Sequence, residues 1–150
     1  MSTARLTAPT EAPEALVTRH RTARTLFAGV AAYALFFAVA PRLAWAFPFE
    51  AMFYGDASPT ALNDPEAMRL LAFAFSLIGA VMFGWFATLT MMVGRLTSAA
   101  WRAVGAGIVV WFVVDGIASV AHGYWQNVLT NAGFAMLLGL AWWLARPAEA

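Results

Sequence analysis

The chain has 150 residues, 62% of them hydrophobic and 11% charged, with a formal net charge of +1. Soluble domains carry ~25% charged residues, so this composition excludes an ordinary water-soluble fold, and the length suits a single domain. All nine basic residues are arginine and none joins a basic stripe interleaved with aromatics, which argues against a nucleic-acid partner. The absence of cysteine excludes disulfides, thiolate nucleophiles and iron–sulfur ligation.

In chain order, residues 1–24 form a polar tail containing Pro9 and Pro13, with room for a short interfacial helix after Pro13. It ends in the basic cluster Arg19, His20, Arg21 and Arg24. Residues 25–47 are apolar apart from Arg42, and ~20 such residues rising ~1.5 Å each suffice to cross ~30 Å of hydrocarbon. Pro41 lacks a backbone donor, which predicts a kink about one turn earlier, near Phe37. Residues 48–64 form a loop carrying Glu50, Asp56 and Asp64 among Phe49, Phe53 and Tyr54, a mixture suited to lipid headgroups.

A second helix is announced by Asp64 as its cap, Pro65 at its first position and Glu66 near the positive end of its dipole. Its span covers residues 66–93, long enough to tilt or protrude from the bilayer. A short connection with Arg95 leads to a third span over residues 103–121. A tight turn from His122 to Gln126 leads to a fourth over 127–145, ended by Arg146 and Pro147, with 147–150 as a C-terminal tail. The expected fold is all-α: a polytopic membrane protein whose four-helix transmembrane bundle occupies residues 25–146. Small residues four apart, Ala80 and Gly84, Ala103 and Gly107, Ala135 and Gly139, are expected to let its helices approach closely.

Orientation follows from the arginines, because basic residues near short loops stay in the cytoplasm. The N-terminal tail, the 94–102 connection and the C-terminus hold Arg5, Arg19, Arg21, Arg24, Arg95, Arg102 and Arg146, whereas the opposite side holds Arg42 and Arg69. Both termini are therefore expected on the cytoplasmic side of a bacterial inner membrane. Trp101, Trp142 and Trp143 would mark the cytoplasmic interface, with Trp45, Tyr124 and Trp125 at the outer one. Ala44, Trp45 and Ala46 also fit the A-x-A pattern of a cleavable signal peptide, but the long basic tail and the interruptions at Pro41 and Arg42 weigh against cleavage.

Ionisable residues within a span are costly and are expected to face the bundle or water. Asp115 is the clearest case, ~10 Å below the outer end of the third span, with Ser119 and His122 on the same helical face. Arg42 and Arg69 lie ~6–8 Å below that surface, and Asn127 and Asn131 share a face at the outer end of the fourth span. All four helices thus feed one outer polar layer. A guanidinium neighbour would keep a buried carboxylate charged, so Asp115 is expected to pair with Arg42 or Arg69, with Ser119, Asn127 and Asn131 filling the remaining hydrogen-bond positions. Two readings stay open: a polar clamp that sets helix register, or a site for a ligand, proton or substrate.

No catalytic residue, metal ligand set or cofactor is assigned. His-Glu-x-x-His, Gly-x-Ser-x-Gly and glycine-rich phosphate loops are all missing. His122 follows Ala118 at a spacing used by pigment-binding helices, yet His20 lies across the membrane, so one chain cannot supply two axial haem ligands within it.

The residues Arg69, Ile78-Gly79-Ala80-Val81-Met82-Phe83-Gly84-Trp85, Trp101-Arg102, Trp111-Phe112-Val113-Val114-Asp115-Gly116, Ser119, Asn127 and Asn131 resemble small four-span bacterial membrane proteins of unknown function, of the BphX-like sort. The resemblance covers the last three spans and implies a four-helix membrane fold without a known activity. The sequence favours a structural or accessory membrane subunit, with the lipid bilayer and either other subunits or a second copy as partners. The alternatives are a binder or transporter of a small molecule or proton at an Asp115-centred site, and a membrane enzyme using Asp115 as acid or base.

Overall fold

The computed structural model describes residues 13–41, 43 and 64–147 of the chain. Arg42, Trp45, the A-x-A pattern, the expected end of the first span and nearly all of the following loop lie outside the described residues. Those that are described form four long helices: α1 (Pro13–Val39), α2 (Pro65–Met92), α3 (Ser98–Ala121) and α4 (Trp125–Ala145). All four are long and apolar enough to cross a membrane, at ~31 to ~42 Å in length. No strand occurs among the described residues.

Helix α1 starts at Pro13, where a missing N–H costs nothing, and runs unbroken through the basic cluster that the sequence places in a tail. Three threonines are accommodated there because the hydroxyls of Thr18, Thr22 and Thr25 donate to the carbonyls of Glu14, Thr18 and Arg21 at 2.9, 3.0 and 3.1 Å. At the other end the Ala40 amide still reaches the Phe36 carbonyl at 2.9 Å, and the regular helix ends at Val39. The break thus falls beside Pro41 and not near Phe37, because proline disfavours α conformation in the residue before it.

Helix α2 opens as its sequence predicts, with the Asp64 carboxylate accepting from the Glu66 amide at 2.9 Å and Pro65 in the first turn. Thr97 caps α3 in the same way, accepting from the Ala100 amide at 3.3 Å. Gly94 and Gly123, which adjoin the ends of α2 and α3, have φ of 76° and 84°, the left-handed region glycine enters without strain.

Packing is closest between α1 and α2, between α3 and α4, and between α1 and α4. Gly79 brings α2 against α1: a Cβ there would lie 2.5 Å from the Ala38 amide nitrogen and 2.8 Å from the Ala34 carbonyl oxygen. Gly84, Gly107 and Gly139, from the small pairs expected to serve this purpose, have open space around them. The end holding the termini is sealed by a reciprocal exchange in which the Trp101 indole donates to the Trp142 carbonyl at 2.9 Å and the Trp142 indole donates to the Trp101 carbonyl at 2.7 Å. Trp142 lies in the last turn of α4, whose carbonyls lack helical donors, so Trp101 satisfies an otherwise orphaned acceptor. Gly105 leaves room for the Trp142 ring, since a Cβ there would sit 2.9 Å from its indole nitrogen.

Phe27 packs edge-on against Trp101, with ring centroids 6.3 Å apart, in a core continued by Phe86, Leu89, Ile108 and Leu138. Arg24 donates to the Val93 carbonyl at 3.0 Å and Arg19 to the Arg146 carbonyl at 3.4 Å, two cations placed at the negative ends of α2 and α4. Large apolar residues such as Val81, Val110, Ile117, Leu129 and Met136 face outward. So extensive an apolar surface is what lipid chains, and not water, would cover.

Candidate functional site

At the opposite end of the bundle residues of all four helices line a cavity of about 530 Å³. Asp115 of α3 and Asn127 and Asn131 of α4 form its polar wall, and these two helices are held there by side-chain hydrogen bonds. Asn127 Nδ2 donates to Asp115 Oδ2 at 3.0 Å and lies 2.8 Å from Ser119 Oγ, while Asn131 Nδ2 donates to the same carboxylate oxygen. Ser119 Oγ donates to the Asp115 backbone carbonyl at 2.7 Å and sits 3.5 Å from Oδ2. The cluster therefore converges on one oxygen of Asp115, and no described residue hydrogen-bonds to Oδ1.

Helical spacing explains the convergence. Asp115 and Ser119 lie one turn apart on α3, Asn127 and Asn131 one turn apart on α4, and the turn between the helices sets the two faces against each other. Ser119 and Asn131 are each only 8% exposed. Buried polar groups need partners, and these supply one another. Thr130 Oγ1, from the same wall, is buried with no hydrogen-bond partner among the described residues.

The facing wall is aromatic. Phe134 of α4, Tyr33 and Phe37 of α1 and Phe75 of α2 form a continuous row, with successive centroids 5.7, 5.5 and 5.4 Å apart. Ile78 and Met82 of α2 and Trp111 of α3 extend the apolar lining. Helices α2 and α3 face each other across the cavity without the close packing of the other neighbouring pairs. Ile78, on the α2 side, is 52% exposed, and Ala118, on the α3 side, is also exposed. The cavity is thus accessible along the α2–α3 side.

Of the residues singled out in the sequence, Asp115, Ser119, His122, Asn127 and Asn131 all line this one cavity. His122 caps α3 at the rim, its Nδ1 donating to the Ala118 carbonyl at 2.8 Å. Arg69 does not join them: it is exposed on α2 and absent from the cavity wall, and the side-chain donors to Asp115 are two amides and a hydroxyl. The reason is longitudinal. Helix α2 has 28 residues, ~12 Å more than the hydrocarbon requires, and its first cavity residue, Phe75, lies ~9 Å beyond Arg69 along the axis. Arg42 lies outside the described residues.

The polar layer expected from all four helices accordingly comes, among the described residues, from α3, α4 and the turn between them, with the Tyr33 hydroxyl the one polar group from α1. The aromatic wall was missed in the sequence. Its signal was the one-turn spacing of Tyr33 from Phe37 and of Trp111 from Asp115, a pattern that core packing produces equally well. No protein family, curated protein or solved structure matches the chain, so the site rests on its own geometry and the BphX-like resemblance on the residue patterns that suggested it.

Proposed function

We propose that this chain is an integral protein of a bacterial inner membrane, with both termini in the cytoplasm, that binds a small, mainly apolar molecule in the outward half of its bundle. The observation that carries the proposal is the cavity at Asp115: about 530 Å³, lined largely by carbon, with one cluster of polar groups at one wall. Ligand sites of ~300–1,000 Å³ share this plan, an apolar enclosure for affinity and a few convergent polar groups for orientation. A register clamp alone needs no empty volume beside it. The open α2–α3 side supports access from lipid, and the distribution of arginine supports the orientation.

A second reading, a structural clamp, draws support from the hydrogen bonds joining Asp115 and Ser119 of α3 to Asn127 and Asn131 of α4. The two are compatible, because a ligand wall must itself be held in place. The test is saturable binding of a naphthyl probe to the purified protein in phosphatidylcholine nanodiscs, with empty discs as reference. Ala118→Trp, which places an indole across the cavity, is expected to weaken binding about tenfold or more while leaving the thermal transition in place. Binding that Ala118→Trp does not change would sink the proposal.

A further inference from the structure

The cavity's two walls differ in a way that selects among ligands. Asp115 is the one carboxylate in the lining, and no arginine accompanies it among the described residues. Two amide donors hold its Oδ2, whereas Oδ1 carries no hydrogen bond from any described residue. The ring row Phe134, Tyr33, Phe37 and Phe75 lines the same cavity, and aromatic rings carry electron-rich faces. A carboxylate and a set of aromatic faces are both attractive to positive charge and repulsive to negative charge.

We propose that the ligand is an organic cation, a lipophilic amine whose ammonium group sits between Oδ1 of Asp115 and the aromatic row, with its apolar body against Ile78 and Met82. This rests on the reading of the cavity as a binding site. A bare metal ion does not fit the same features: the space is far larger than an ion, and no cluster of three or more histidine, cysteine or acidic side chains able to hold one occurs among the described residues. A neutral molecule would gain the apolar burial and at most a hydrogen bond to Oδ1, without the attraction between opposite charges. An anion would meet the carboxylate and the ring faces together.

An ammonium ion at Oδ1 of Asp115 would form one ion pair with no net charge, the form in which a carboxylate is best tolerated in a low-dielectric interior. His122 stands at the rim with its Nδ1–H donating to the Ala118 carbonyl.

The experiment compares three probes of one shape in nanodiscs of phosphatidylcholine: naphthylmethylammonium, naphthylmethanol and naphthoate. The expected result is tightest binding of the cation, by about tenfold or more over the alcohol, with the anion weakest. Asp115→Asn should erase that preference, bringing the cation's affinity down to about the alcohol's in the same variant, and Phe37→Leu should weaken the cation about three- to tenfold. Equal binding of the cation and the alcohol to the unmodified protein would overturn the cation proposal while leaving the binding site standing. Failure of all three probes to bind would overturn both. The charge series is measured on the unmodified chain, so it decides the matter even if a variant does not fold.

Discussion

Asp115 stands between two roles, and the chemistry of its partners separates them. Its Oδ2 accepts from two asparagine amides, so an asparagine at this position can offer an oxygen in the same place, whereas a leucine cannot. Asp115→Asn is therefore expected to change thermal stability by less than ~1 kcal/mol, and Asp115→Leu to cost ~1–3 kcal/mol by stranding the Asn127 and Asn131 amides, both read from reversible unfolding in mixed micelles. Asn131→Ala, which removes one donor to Asp115, should fall between them, at the ~0.6–2 kcal/mol typical of hydrogen bonds between membrane helices. Co-location of Asp115, Ser119, Asn127 and Asn131 was legible because polar residues one turn apart in apolar helices have to share a face. The partner of Asp115 was less so: of the two arginines that charge complementarity favoured, Arg69 lies too near the end of α2 to reach the cavity level, and Arg42 lies outside the described residues.

Among the elements, the helices were read well and their faces less well. Pro65 with Asp64 marked the start of α2, and the ends of α3 at Ala121 and α4 at Ala145 coincide with the expected span ends. The small-residue pairs misled, because four-residue spacing gives a stripe on a helix without saying which way the stripe faces. Gly79, immediately before Ala80, is the position pressed against α1, while Gly84 is open. Gly79→Ala should therefore destabilise the protein by ~1–3 kcal/mol and Gly84→Ala should be neutral or slightly favourable, both measured as shifts in the thermal midpoint. Trp101→Phe keeps most of the buried ring but removes the donor to the last turn of α4, and it should cost ~1–2 kcal/mol, with α4 losing amide protection at its C-terminal end in hydrogen exchange.

For the whole molecule, hydropathy alone set the number of helices, and arginine placement yields a prediction about their orientation. Because the chain has no cysteine, single cysteines can be introduced without background. A membrane-impermeant maleimide on intact cells should label Trp125→Cys, at the start of α4, and should label Arg95→Cys only after lysis; the reverse pattern would invert the proposed topology. The cavity could not be read from the chain at all, since it arises where four helices each leave a remainder that none of them determines singly. Its loosely packed α2–α3 side carries one more consequence. If occupants arrive through that flank, the quantity that controls occupancy is their mole fraction among the lipids and not their concentration in water. Diluting a fixed amount of ligand and protein with additional bilayer should then lower occupancy in proportion, while diluting the same vesicles with buffer should change it little for any strongly partitioned compound.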